Sequence, residues 1–105
     1  MDKVNQSVIE SCRESARLCK ACAAAAVSNG EKEDCEKPCL DCAAICELCV
    51  TLGESESPFF KQAVELCIDA CMNCVAVCEE NGCEICMKCA FQCRICTVDC
   101  FNIVE

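Results

Sequence analysis

Residues 83–100 read CEICMKCAFQCRICTVDC, and this stretch decides the fold. Six of its residues are cysteine: Cys83, Cys86, Cys89, Cys93, Cys96 and Cys100, at steps of three, three, four, three and four. Residues three and four apart share one face of an α-helix. The residues between them, such as Glu84, Met87, Lys88 and Gln92, are helix formers. The stretch predicts a helix with one wall made of thiols, Cys83 lying one position off the seam at the helix start.

The same register recurs upstream. Cys35, Cys39, Cys42, Cys46 and Cys49 alternate steps of four and three, a heptad seam with cysteine where leucine would normally stand. This predicts a helix over about 34–52. Pro38 is tolerated only in a first turn, so the start is expected near 34–37, with Cys35 at its mouth or just outside. Cys67, Cys71, Cys74 and Cys78 continue the seam of Phe60 and Val64. Ser57 reads as the N-cap of that helix and Pro58 as its first residue, with the end near Glu80. Near the N-terminus, Cys12, Cys19 and Cys22 share a seam with Val8, Ser15 and Ala26 in a helix over about 4–27. Ser28–Asn29–Gly30, Gly53–Glu54–Ser55–Glu56 and Asn81–Gly82 supply the breaks. No strand-like alternation competes. The expected fold is all-α, an antiparallel up-down four-helix bundle with a cysteine-lined core, formed by residues 1–105 as a single domain.

Antiparallel order sorts the seam residues by end. One end gathers Val8, Leu52, Phe59, Phe60, Val64, Phe101 and Ile103 as an apolar plug. The other gathers Ala26, Cys35, Cys78, Cys83 and Cys86 inside a rim of Glu31, Glu33, Asp34, Glu36, Glu79, Glu80 and Glu84. A thiol-lined tube, closed at one end and opening through acidic groups that concentrate cations, is expected. Met87, Phe91, Ile95 and Val98, and likewise Leu40, Ala44 and Leu48, form second apolar stripes away from the thiols. A bundle needs only one stripe per helix, so these suggest contact with another subunit.

Composition narrows the chemistry. Eighteen of 105 residues are cysteine, none is histidine, and the net charge is −9. The charge argues against nucleic-acid and anionic-membrane partners. The sequence opening MDKVNQSVIESC has no apolar h-region, so a cytoplasmic setting with reduced thiols is expected. No nucleophile–base pair or phosphate loop is present, which argues against an enzyme.

Cysteine as a plain small hydrophobe forfeits the area that leucine would bury. Neighbours at i and i+4 have nearly parallel Cα–Cβ vectors, a poor start for disulfides. Cys83, Cys86, Cys89 and Cys93 match the C-x2-C-x2-C-x3-C spacing of an iron–sulfur site, although Arg94 stands where proline normally follows. A zinc or heavy-metal thiolate buffer is a further alternative, but each Zn(Cys)4 unit keeps two negative charges that are costly to bury. Cu(I) fits best. It is soft, prefers thiolate and accepts low coordination, so a thiol pair at i and i+4 can clamp one ion. Cys35/Cys39, Cys42/Cys46, Cys67/Cys71, Cys74/Cys78, Cys89/Cys93 and Cys96/Cys100 offer such pairs. One Cu(I) per thiolate is neutral, and between about 9 and about 20 ions per chain are expected.

With these residues in view, the chain resembles the short, signal-less members of the bacterial copper storage proteins. The resemblance is most specific at Ser57–Pro58–Phe59–Phe60–Lys61, at 67–78 and at 86–100. It implies a cytosolic four-helix bundle that stores many Cu(I) ions along its axis, exchanges them with copper donor or acceptor proteins, and assembles as a homo-oligomer, commonly a tetramer. Related chains usually carry histidines near the link between the third and fourth helices, at the copper entrance. This chain has none, and Cys83 is the expected substitute. Ser15 and Ala26 also occupy slots where cysteine is expected, so the first helix should load less. Met72 and Met87 are soft but off the seam, and are expected to pack rather than ligate.

Overall fold

The computed structural model describes residues 2–29 and 33–104; of these, the side chains of 27–29, 33 and 34 lie outside the description. Four helices follow in order: α1 (Lys3–Asn29), α2 (Glu33–Glu54), α3 (Phe60–Asn81) and α4 (Glu84–Val104). Each packs along two neighbours, α1 against α2 and α4, and α3 against α2 and α4. The result is a closed square of antiparallel helices 41 Å long. That length is the rise of α1 alone, about 1.5 Å for each residue.

Three boundaries differ from expectation, each for a local reason. Helix α2 runs through Gly53 and stops in a Schellman turn. There the Ser57 N–H donates to the Leu52 carbonyl at 2.9 Å and the Glu56 N–H to the Gly53 carbonyl at 3.1 Å. Glu56 takes the left-handed conformation, φ 54°, that such a turn requires. Gly53 is therefore helical, and its missing side chain serves packing. Helix α3 begins at Phe60 rather than Pro58. The Ser57 hydroxyl accepts from the Phe59 N–H at 3.1 Å, which closes a tight turn before the helix instead of capping it. At its other boundary α2 already includes Glu33, so Pro38 lies inside the helix, and Cys35 is a fully buried residue of the first turn rather than one outside the helix. The link after α3 is as expected. Gly82 adopts φ 74° and its N–H returns to the Cys78 carbonyl at 3.0 Å. Gly30, the expected stop of α1, lies outside the described residues.

The plug is real but differently composed. Val8, Ile9, Phe60 and Val64 are buried, with Leu52, Ile103 and Val104 packed against them. Phe59 and Phe101 turn outward, 62% and 41% exposed, and do not belong to it. Phe59 precedes the first turn of α3 and points away from the axis. A Cβ on Gly53 would stand 2.8 Å from both outer carbons of Ile9 and from the Phe60 ring. Alanine would normally gain about 1 kcal/mol in a helix. Here three contacts must give way together, which costs about 1–3 kcal/mol. Gly53→Ala should therefore lower the chemical-denaturation midpoint of the metal-free protein, and a raised midpoint would show the plug to be loosely packed.

Candidate metal centre

The helical steps of three and four place every cysteine except Cys83 in the core, all of them free thiols. The sulfurs meet in layers. Cys12, Cys46, Cys67 and Cys96 form one four-sulfur group, each thiol from a different helix. Toward the open end, Cys19, Cys42, Cys74 and Cys93 form a second, Cys22, Cys39, Cys78 and Cys89 a third, and Cys22, Cys35, Cys78 and Cys86 a fourth. Cys42, Cys46 and Cys71 make a three-sulfur group between the first two. Within each group the sulfurs lie within 4.8 Å of one another. Cys49 and Cys100 are also fully buried but complete no such group.

The expected clamps within single helices are only part of this arrangement. Cys67/Cys71, Cys74/Cys78, Cys42/Cys46 and Cys96/Cys100 stand 3.8, 3.9, 4.0 and 4.0 Å apart. The closest approaches cross between helices: Cys19 to Cys89, Cys22 to Cys86 and Cys35 to Cys86, each 3.5 Å. Sequence steps show which thiols share a seam; the square packing of four seams decides which ones touch. With a metal–thiolate bond of about 2.3 Å, sulfurs around one trigonal ion stand about 4.0 Å apart. These spacings therefore suit ions shared between helices.

At the mouth, Cys83 is half-buried and its sulfur accepts the Cys86 N–H at 3.4 Å. The Asn81 side-chain amide donates to the Cys35 sulfur at 3.1 Å. The sequence had shown Asn81 only as a helix stop, and nothing in its spacing revealed this contact. The acidic rim is partly neutralised. Arg94 holds Glu79 with contacts of 2.7 and 2.8 Å, and Lys88 lies 3.6 Å from Glu84. The side chains of Glu31, Glu33 and Asp34 lie outside the described residues. Met72 and Met87 are 55% and 44% exposed, off the sulfur column as expected.

Residues 83, 86, 89 and 93 do not converge on one cluster. Cys86, Cys89 and Cys93 belong to three different layers, strung along about 10 Å of helix. An iron–sulfur cluster held by these four residues would require α4 to unwind.

Among the described residues the only buried polar side chain is that of Ser15, so no cation offsets charge in the column. The thiols instead share protons. Neighbouring sulfurs, with burial adding to them, hold Cys46 and Cys74 above the usual thiol value. Cys39, Cys67 and Cys93 accept from their neighbours and are held below it. At the mouth Cys86 is pushed up to about 12, first by burial and then by its contact with Cys83.

A model of the copper storage protein family matches residues 1–105. The chain belongs to the copper storage protein family. A solved structure titled "Cu(I)-bound Copper Storage Protein BsCsp3" superposes with a TM-score of 0.92 at 26% identity, covering 98% of this chain and 100% of that one. The "Uncharacterized cysteine-rich protein YhjQ" of Bacillus subtilis (strain 168) is 28% identical over 104 residues, 90% of this chain and 96% of its own length. The four-helix bundle with cysteines clustered in its core is thus the architecture of a copper storage protein. No helix among the described residues is long and apolar enough to cross a membrane.

A raised thiol keeps its proton in the folded state after the unfolded chain has lost it. That contribution to stability is complete below the ordinary value of 9.0 and is lost as pH rises toward the 12 of Cys86. The thiols held low, such as Cys39, Cys67 and Cys93, contribute fully once pH passes 9.0, so the metal-free protein, kept anaerobic, should unfold at lower temperature at pH 11 than at pH 10. Equal midpoints would mean that the buried thiols ionise as freely as exposed ones.

Proposed function

We propose that this copper storage protein is a cytosolic Cu(I) store, with residues 1–105 acting as one metal-binding domain and all eighteen cysteines as its ligands. The observation that carries the reading is the column of four-sulfur layers, with one thiol from each helix in a layer and, among the described residues, no buried cation between layers. Each thiolate that takes one Cu(I) becomes neutral, so filling removes the charge that makes an ionised column costly. Zinc fits the shape of a four-sulfur layer, but each ion would leave two negative charges in it, and stacked layers would multiply that cost. Capacity is between about 9 and about 20 ions per chain, from half to roughly one per sulfur. The chain acts as a reserve or sink, not as a catalyst.

The exposed stripe of Met87, Phe91, Ile95 and Val98, 40–68% exposed, supports assembly with further copies of the chain. Copper enters past Cys83, the one half-buried thiol, from a donor protein or a small copper complex.

Anaerobic titration with Cu(I) against a competing chelator tests the storage reading. Uptake should continue to at least about 9 equivalents, and saturation at one or two would end it. In the same samples, sedimentation should give a mass above the 11.4 kDa of one chain. Replacing Cys83 by serine should slow copper entry and release several-fold while capacity stays within one or two ions of the parent. Unchanged kinetics would remove Cys83 from the entrance.

A further inference from the structure

The sulfur column narrows at one level. Toward the plug stands the group of Cys12, Cys46, Cys67 and Cys96; toward the mouth stands that of Cys19, Cys42, Cys74 and Cys93. Between them only three sulfurs gather, those of Cys42, Cys46 and Cys71, with none from α1 or α4. The reason lies in α1. Its seam passes from Cys12 to Cys19 without a thiol, about 10 Å along the axis. The intervening slot holds Ser15, fully buried, whose hydroxyl accepts from the Gln92 amide at 3.3 Å. A hydroxyl is a hard ligand and a poor one for a soft ion.

Cys42 spans this gap. It belongs both to the mouth-side group and to the three-sulfur group, while Cys46 joins that three-sulfur group to the plug side. The Cys42 sulfur lies 3.7 Å from Cys71 and 4.0 Å from Cys46 toward the plug, and 4.0 Å from Cys93 toward the mouth.

We propose that Cys42 is the transfer ligand between two compartments of the store, a waist through which Cu(I) passes from the mouth-side thiolates to the plug-side ones. The inference rests on the Cu(I)-storage reading. In the transfer a Cu–S bond forms to Cys42, whose thiol gives up its proton. The Cu–S bond to Cys93 breaks, and the released thiolate takes a proton. Copper stays Cu(I) and no electron moves. A second exchange of the same kind hands the ion to Cys71 and Cys46.

Stopped-flow uptake from a coloured Cu(I) chelate, under anaerobic conditions, tests this. The parent protein should load in two phases, the fast one filling the mouth side. Cys42→Ser should lower the fast amplitude by no more than about one or two ions and slow the second phase by about tenfold, since a hydroxyl holds Cu(I) poorly. Cys49→Ser removes one ligand beyond the waist and should lower the slow amplitude by about one ion without the tenfold slowing. Ser15→Cys fills the gap and should speed the slow phase. A single phase in the parent, or equal effects of Cys42→Ser and Cys49→Ser, would overturn the proposal. If Cys42→Ser loses its helicity, Ser15→Cys decides alone, and an unaltered slow phase counts against the waist. Failure of the storage reading would look different, with parent uptake ending at one or two ions. Many ions taken up in one phase would keep the store and discard the waist.

Discussion

Sulfur packed against sulfur, with no cation between, is the constraint on which this structure depends. A leucine seam would bury more apolar area and leave nothing to ionise. A cysteine seam gives up that stability at nearly every layer from Cys100 to Cys35. The bundle recovers some of it at one end, where Val8, Ile9, Phe60 and Val64 are buried and Ile9 and Phe60 close over Gly53. It recovers little from surface ion pairs such as Arg13–Glu54, Arg17–Glu14 and Lys20–Glu47, since exposed pairs contribute about 0–1 kcal/mol each. Metal that replaces protons on the thiolates would add its binding free energy to the folded state, so loading and folding are coupled.

The same constraint explains the charge distribution. A thiolate column cannot tolerate buried lysine or arginine as permanent partners, because those positions would compete with the metal. All described lysines and arginines are accordingly exposed, and several hold carboxylates on the outer surface. Among the described residues, Glu80 and the half-buried Glu36 keep a negative approach to the column. Neutralisation of Glu79 by Arg94 makes that approach weaker than the charge count alone suggests.

Much of this was legible in the sequence. The steps of three and four gave the helices, the seam and the antiparallel order, because periodicity is a local property of the chain. Phe60 and Val64 were placed correctly in the plug, and Met72 and Met87 correctly outside the column. What the sequence hid depended on contacts between helices. The pairing of Cys35 with Cys86, or of Cys19 with Cys89, comes from the axial offset of neighbouring helices, which no spacing encodes. Ile9 joined the plug because it flanks the seam on the same line as the buried Ala16 and Ala23, and Phe59 left it because it precedes the first turn of α3. Gly53 read as a stop because glycine commonly ends helices. Here the stop falls at Glu56 and the glycine makes room for Ile9 and Phe60.

Only Gly82 and Cys83 separate α3 from α4. A link this short works as a phase lock between two rotating parts. One added or deleted residue would turn α4 by about 100° about its own axis and slide it by about 1.5 Å. Cys86, Cys89, Cys93, Cys96 and Cys100 would all leave the column together, and the second apolar stripe would rotate with them. The length of that link therefore constrains the column as strictly as any one ligand does.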